Sequence, residues 1–131
     1  MRLFDSNIII YSALPEFAWL RPYLKAPDSR VSALTRVESL GFHQLPAIDR
    51  EYFEALFQQL HLLPVTDAVL LRAVQLRQER KMGLGDSIVA ATALEAKLPE
   101  LITRNIKDFA HLSALRVLNP IDVPGAGGIS P

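Results

Sequence analysis

The stretch Met1-Arg2-Leu3-Phe4-Asp5-Ser6-Asn7-Ile8-Ile9-Ile10 decides the fold. Met1 to Phe4 is a short apolar run that stops at a polar triplet, Asp5-Ser6-Asn7, and reads as a buried first strand. Ile8 to Leu14 then starts a helix that Pro15 interrupts. A strand that ends on an acid and hands over at once to a helix is half of a strand–helix–strand unit. Its repetition implies a parallel sheet with helices on both faces.

The rest of the chain repeats that alternation. Arg30 to Ser32 reads as a second strand, followed by a helix from Ser32 to about Phe42 that is stopped near Gly41. Helical spacing of Phe53, Leu56, Phe57 and Leu60 places a helix over Asp49 to Leu60. Leu62 to Val65 reads as a third strand. Asp67 is expected to cap a helix to Lys81, and Met82 to Gly85 to form a loop. Asp86 is expected to open an Ala-rich helix to Lys97 that Pro99 closes. Leu101 to Thr103 and Arg116 to Leu118 read as the fourth and fifth strands, with a short helix over Lys107 to Leu112 between them. The expected architecture is an α/β domain over residues 1–121 with a five-stranded parallel sheet, and a flexible tail over 122–131.

Composition narrows the chemistry. The 131 residues are 50% hydrophobic and 21% charged, enough to bury a core and unlike a disordered chain. Fourteen basic and fourteen acidic residues cancel to a net charge of zero, so the chain is not one that coats nucleic acid through overall charge, although a local patch could still meet it. Cysteine is absent, which excludes disulfides, thiolate metal sites and cysteine nucleophiles. A cytoplasmic location is the expectation. No apolar run approaches the roughly 20 residues of a membrane span, and Asp5 and Asn7 break any signal-like segment.

In open parallel sheets the site lies at the carboxyl ends of the strands. Asp5 follows the first strand, Thr103, Asn105 and Asp108 follow the fourth, Asp86 heads a helix after a Gly-flanked loop, and Glu38 lies on the helix after the second strand. Taken singly, each acid has an ordinary explanation: Asp86 and Asp67 as helix caps, Asp108 as the cap of a short helix, Glu38 as a solvated residue. Asp5 resists one, because it ends a buried strand where an apolar residue would serve stability better. If Asp5, Glu38, Asp86 and Asp108 converge, they form an all-oxygen cluster whose mutual repulsion a divalent cation such as Mg²⁺ or Mn²⁺ relieves. Such a cluster suits hydrolysis of a phosphate ester.

Four segments together resemble the PIN-domain ribonucleases, and among them the VapC-type toxins of toxin–antitoxin pairs. They are Leu3-Phe4-Asp5-Ser6-Asn7-Ile8, Val31-Ser32-Ala33-Leu34-Thr35-Arg36-Val37-Glu38, Asp86-Ser87-Ile88-Val89-Ala90-Ala91 and Thr103-Arg104-Asn105-Ile106-Lys107-Asp108-Phe109. The resemblance spans nearly the whole chain to about Pro120. It implies a PIN-like fold and a Mg²⁺- or Mn²⁺-dependent endoribonuclease acting on tRNA or rRNA, leaving 5′-phosphate and 3′-hydroxyl ends. It also implies a cognate antitoxin and a homodimer. It makes Asp5, Glu38 and Asp86 acidic metal ligands, with Asn105 or Asp108 as the fourth. Ser6, Asn7 and Thr103 are supporting residues, and Ser6 stands where the family more often has Thr.

Cations must hold RNA beside such acids. The candidates are Arg36, Arg72, Arg77, Arg80, Lys81, Arg104 and Lys107, of which Arg104 and Lys107 flank the fourth motif and are preferred. Gln78 to Lys81 reads as a solvated helix end. Phe17, Trp19 and Tyr23 read as core or interface rather than base-stacking platforms, and His43, His61 and His111 as structural. Three other functions compete with this reading. A haloacid-dehalogenase-like phosphatase needs a second Asp at position 7, where this chain has Asn. A non-catalytic RNA- or protein-binding module on the same fold has no need of every acid. A response-regulator-like receiver, which needs paired acids near its start, fits least.

Overall fold

In the computed structural model, residues 1–121 are described, and the expected tail over 122–131 lies outside them. The chain runs β1 (Arg2–Phe4), α1 (Ser6–Tyr11), a 3₁₀ helix (Pro15–Leu20), α2 (Arg21–Leu24), β2 (Ser29–Ser32), α3 (Leu34–Leu40) and α4 (Ala47–Phe57). It continues through β3 (Leu62–Leu63), α5 (Asp67–Glu79), α6 (Leu84–Glu95), β4 (Glu100–Ile102), α7 (Ile106–Phe109) and β5 (Arg116–Leu118). All five strands are parallel, in the order β3-β2-β1-β4-β5. The expected α/β fold is therefore the observed one.

Side chains alternate across the strands, so each strand feeds both faces. Leu3 and Leu101 point to one side, where they meet α5, α6 and Phe109 of α7. Phe4, Val31 and Ile102 point to the other, against α1, the 3₁₀ helix and α4. Ala90, Ala91 and Ala93 are wholly buried, and these small residues let α6 lie close to the sheet. Phe17, Trp19 and Tyr23 pack on the second core, with Trp19 and Tyr23 in edge contact at 6.3 Å, in keeping with their reading as core.

Local signals explain where the boundaries moved. Asp67 does not cap α5. Thr66 does, its hydroxyl accepting from the Val69 amide at 3.2 Å, and Asp67 is the first helical residue. Asp86 does not open α6 either. Gly83, in extended backbone, is the cap, and Asp86 lies within the first turn. Gly85 between them is an unpromising helix former, so propensity alone hides this earlier start. Nor does Asp108 cap α7, whose cap position is held by Asn105.

Phe109 is fully buried and ties the short α7 to the first core. Phe109→Ala is expected to lower unfolding free energy by about 3–5 kcal/mol, the usual cost of emptying an aromatic site, as read from urea melts followed by circular dichroism.

Candidate active site

The order of the strands places a topological switch point between β1 and β4, because the chain winds outward in opposite directions from them. Asp5 and Thr103 are the residues that leave those two strands. The Asp5 amide donates to the Ile102 carbonyl at 2.8 Å, which extends the β1–β4 ladder by one bond. The Asp5 carboxylate accepts from the Ser6 amide and from the Thr103 hydroxyl, both at 2.8 Å. Thr103 also accepts from the Asn105 amide at 3.0 Å and from Asn7 Nδ2 at 3.3 Å. Asn7 Oδ1 in turn accepts from the Arg104 amide at 3.3 Å. Asn7 is thus a strut between α1 and the loop after β4, a role that the Asp required by a phosphatase motif could not fill with its acceptor-only side chain.

Glu38 arrives from α3. Its Oε1 accepts from the Ser6 hydroxyl at 2.5 Å, and the same hydroxyl meets Thr35 Oγ1 at 2.9 Å. Gly85 makes room for it. A Cβ at position 85 would lie 2.7 Å from Glu38 Oε2, closer than van der Waals contact allows. With any side chain at position 85, the Glu38 carboxylate would have to shift from its present place against the first turn of α6.

Electrostatics bind the acids into one group. Asp5 is pushed up to about 6, chiefly by burial, with the charges of Asp86 and Glu38 adding to the rise; the Thr103 and Ser6 hydrogen bonds oppose it. Asp86 is also raised, first by burial and then by the charges of Asp108 and Glu38, and by a hydrogen bond with Asp108. Among the described residues, no three Asp, Glu or His side chains stand close enough to hold an ion directly. The donor set still suits a hydrated Mg²⁺, which takes one or two carboxylates and keeps several waters.

The structure therefore brings Asp5, Glu38 and Asp86 within electrostatic reach of one another, with Asp108 coupled to Asp86 alone and Ser6, Asn7 and Thr103 as the frame around Asp5. Asn105 is exposed at the start of α7, and its side chain caps nothing. Arg104 stacks over the Tyr11 ring, 4.5 Å from its centre, and Lys107 lines a cavity with Asp86 and Asp108. Arg72 forms a solvent-exposed ion pair with Glu95 at 2.7 Å. Thr35 and Gly85 gained no role from the sequence. Thr35 stands three residues before Glu38 on α3, the spacing that puts both on one helix face, and that was the available signal.

A buried carboxylate at the switch point of a parallel sheet, with Glu38, Asp86 and Asp108 more exposed around it, defines an α/β protein whose candidate site lies at its strand ends. The PIN-domain family profile matches residues 2–115, and the chain belongs to the PIN-domain family. Among solved structures, a toxin–antitoxin complex from Klebsiella pneumoniae contains a chain 32% identical to this one. The match covers 92% of this chain and 98% of that one, with a TM-score of 0.73. VapBC-1 from nontypeable Haemophilus influenzae is 25% identical over 90% of this chain and 96% of its own, with a TM-score of 0.66. DNA-bound VapBC from Salmonella typhimurium, 21% identical over 88% and 95%, shares the fold with a TM-score of 0.74. Among curated proteins, none matches this chain significantly.

The raised Asp5 carboxyl carries a stability signature. A group whose folded pKa lies above its unfolded value leaves the fold unharmed below about pH 4 and weakens it as pH rises through 6. In chelator at pH 7.5, Asp5→Asn is expected to gain roughly 3 kcal/mol at most, the worth of a two-unit shift, and so to melt several degrees higher. At pH 3.5 the two melts should coincide. An equal melting temperature at pH 7.5 would remove the burial argument.

Proposed function

We propose that this chain is a metal-dependent endoribonuclease, the toxin of a VapBC-type toxin–antitoxin pair, with tRNA or rRNA as its substrate. One observation carries the reading: Asp5 is buried at the switch point beside Asp86 and Glu38, whose charges oppose its own, and Asp108 in turn couples to Asp86, so the fold accepts repulsion among acids from separate segments. A structural role would not require that cost, since apolar residues there would stabilise the fold.

Asp5, Glu38, Asp86 and Asp108 would hold Mg²⁺ or Mn²⁺, which when bound supplies an activated water and neutralises charge at the scissile phosphate. The protein's own part is positioning. Thr103 and the Ser6 amide hold the two Asp5 oxygens, and the Ser6 hydroxyl holds one oxygen of Glu38. Gly85 leaves the other Glu38 oxygen free to approach α6. No imidazole is needed as a base when the cation activates the water.

The antitoxin assignment has its own support. A groove of about 510 Å³ runs between α1, α3 and α4, walled by Ile10, Leu14, Phe42, Leu45 and Phe53, and it ends on Glu38. Ile10, Leu14 and Phe42 are exposed there. An antitoxin segment laying apolar side chains in this groove could place an Arg on Glu38 and its neighbours, blocking the acids with a charge-assisted pair. The chain 32% identical to this one comes from a toxin–antitoxin complex, in agreement with such a partner.

Cleavage of total tRNA or rRNA by antitoxin-free protein tests the enzyme. Wild type is expected to cut with Mg²⁺ or Mn²⁺ and to stop in chelator. Asp86→Asn, folded by circular dichroism, should fall at least 100-fold. Activity that survives in the folded variant would sink the assignment. Gly85→Ala separates position from stability. It should melt at or slightly above wild type, because Ala is the better helix former by up to about 1 kcal/mol. It should nonetheless lose about tenfold or more in cleavage, because Glu38 must swing away from the new methyl.

A further inference from the structure

The acids have a second neighbour, opposite in character to the apolar groove. A cavity of about 530 Å³ lies between the end of α5, the turn into α6, and α7. Asp86 and Asp108 form its acidic edge, and Arg77, Arg80, Lys81, Lys107 and His111 line the rest. Its volume falls in the range of small-molecule sites, about 300–1,000 Å³. The chain is neutral overall, yet four cations meet two acids here.

A helix end often carries cations that answer its own dipole, and Arg77, Arg80 and Lys81 could be no more than that. Three observations go further. Lys107 reaches the same cavity from α7, which no dipole of α5 explains. Among the described residues none of the four cations forms an ion pair with a carboxylate; the cations that do are Arg2, Arg72 and Arg116. Both ring nitrogens of His111 lack a hydrogen-bond partner and are shielded from solvent, and native proteins normally resolve such orphans with water or a ligand. The cavity is also built rather than incidental. Arg77 Nε donates to the Met82 carbonyl at 3.2 Å, and that turn leads straight to Gly83, the cap of the helix that carries Asp86. One turn thus sets both the cations and the acid.

We infer that Arg77, Arg80, Lys81 and Lys107 form a phosphate subsite that holds the RNA backbone on the α5–α7 side of the acids, at a phosphate next to the one cut. The inference rests on the nuclease reading and adds to it the side from which the strand enters. It also divides the surface: substrate phosphate on the cationic side, antitoxin on the apolar side, with the acids between.

Arg80→Ala/Lys107→Ala tests it, since neither side chain has an intramolecular partner whose loss would disturb the fold. Lys25→Ala/Arg50→Ala makes the same charge change elsewhere and serves as the control. A single-stranded RNA oligonucleotide is titrated with Ca²⁺ in place of Mg²⁺ over a range of KCl concentrations, and cleavage is measured separately with Mg²⁺. The pocket variant should bind at least tenfold more weakly. Its log affinity should fall less steeply with log salt, by about 1.4 for two lost contacts on a single strand. KM should rise while kcat stays within about twofold. The control should match wild type. A pocket variant with wild-type affinity, or with a loss no larger than the control's, overturns the subsite and leaves the nuclease standing. A wild type that neither binds nor cuts RNA overturns the nuclease reading and the subsite with it.

Discussion

The constraint on which the rest depends is a carboxylate held almost out of water. Asp5 is 5% exposed at the carboxyl end of the central strand, where burial and two neighbouring acids all disfavour its charge. Among the described residues no cation forms an ion pair with it. Two hydrogen bonds, from Ser6 and Thr103, are the local compensation. Those partners stand at the start of α1 and just beyond β4. The bonds that orient the acid therefore also splice the two inner strands and the first helix together. The same few atoms serve architecture and chemistry.

Around this centre the molecule is asymmetric. On the α1–α3–α4 side the surface is apolar, with large side chains left exposed beside Glu38. On the α5–α7 side it is cationic, with Asp86 and Asp108 at its edge and, among the described residues, no ion pair to Arg77, Arg80, Lys81 or Lys107. A single sheet separates two differently built helical layers, and its carboxyl edge is where they meet. Opposed surface chemistry on the two flanks allows ligands of different kinds to approach one set of acids without competing for the same contacts.

Much of this was legible in the chain. Apolar runs ending in polar turns marked all five strands to within a residue or two, and the acids at their ends marked the edge to inspect. The helix starts were harder. Thr66 and Asp67 are both good capping residues, and only the backbone decides between them. Gly85 inside a helix contradicts its propensity, and the reason, a carboxylate that a Cβ would strike, involves a residue 47 positions earlier (85 − 38). The cationic wall was undervalued for a similar cause. Gln78-Glu79-Arg80-Lys81 is an ordinary helix ending when read locally, and its significance depends on Lys107 arriving from another element. Local rules recover elements. Whether residues far apart in the chain share a cavity is a property of packing.

The hydrogen bond between Thr103 and Asp5 spans 98 residues. Translation runs from β1 to β4, residues 100–102, so the two strands can pair only after the whole intervening segment has been made. Until then the central strand lacks one neighbour, Asp5 lacks the hydroxyl that orients it, and Asp108 does not yet exist. Pairings so distant in sequence also form slowly. A chain that has not yet paired β4 with β1 therefore lacks the hydroxyl that orients Asp5. The candidate site is thus among the last features of the fold to be completed, and any chemistry it supports waits on this long-range pairing.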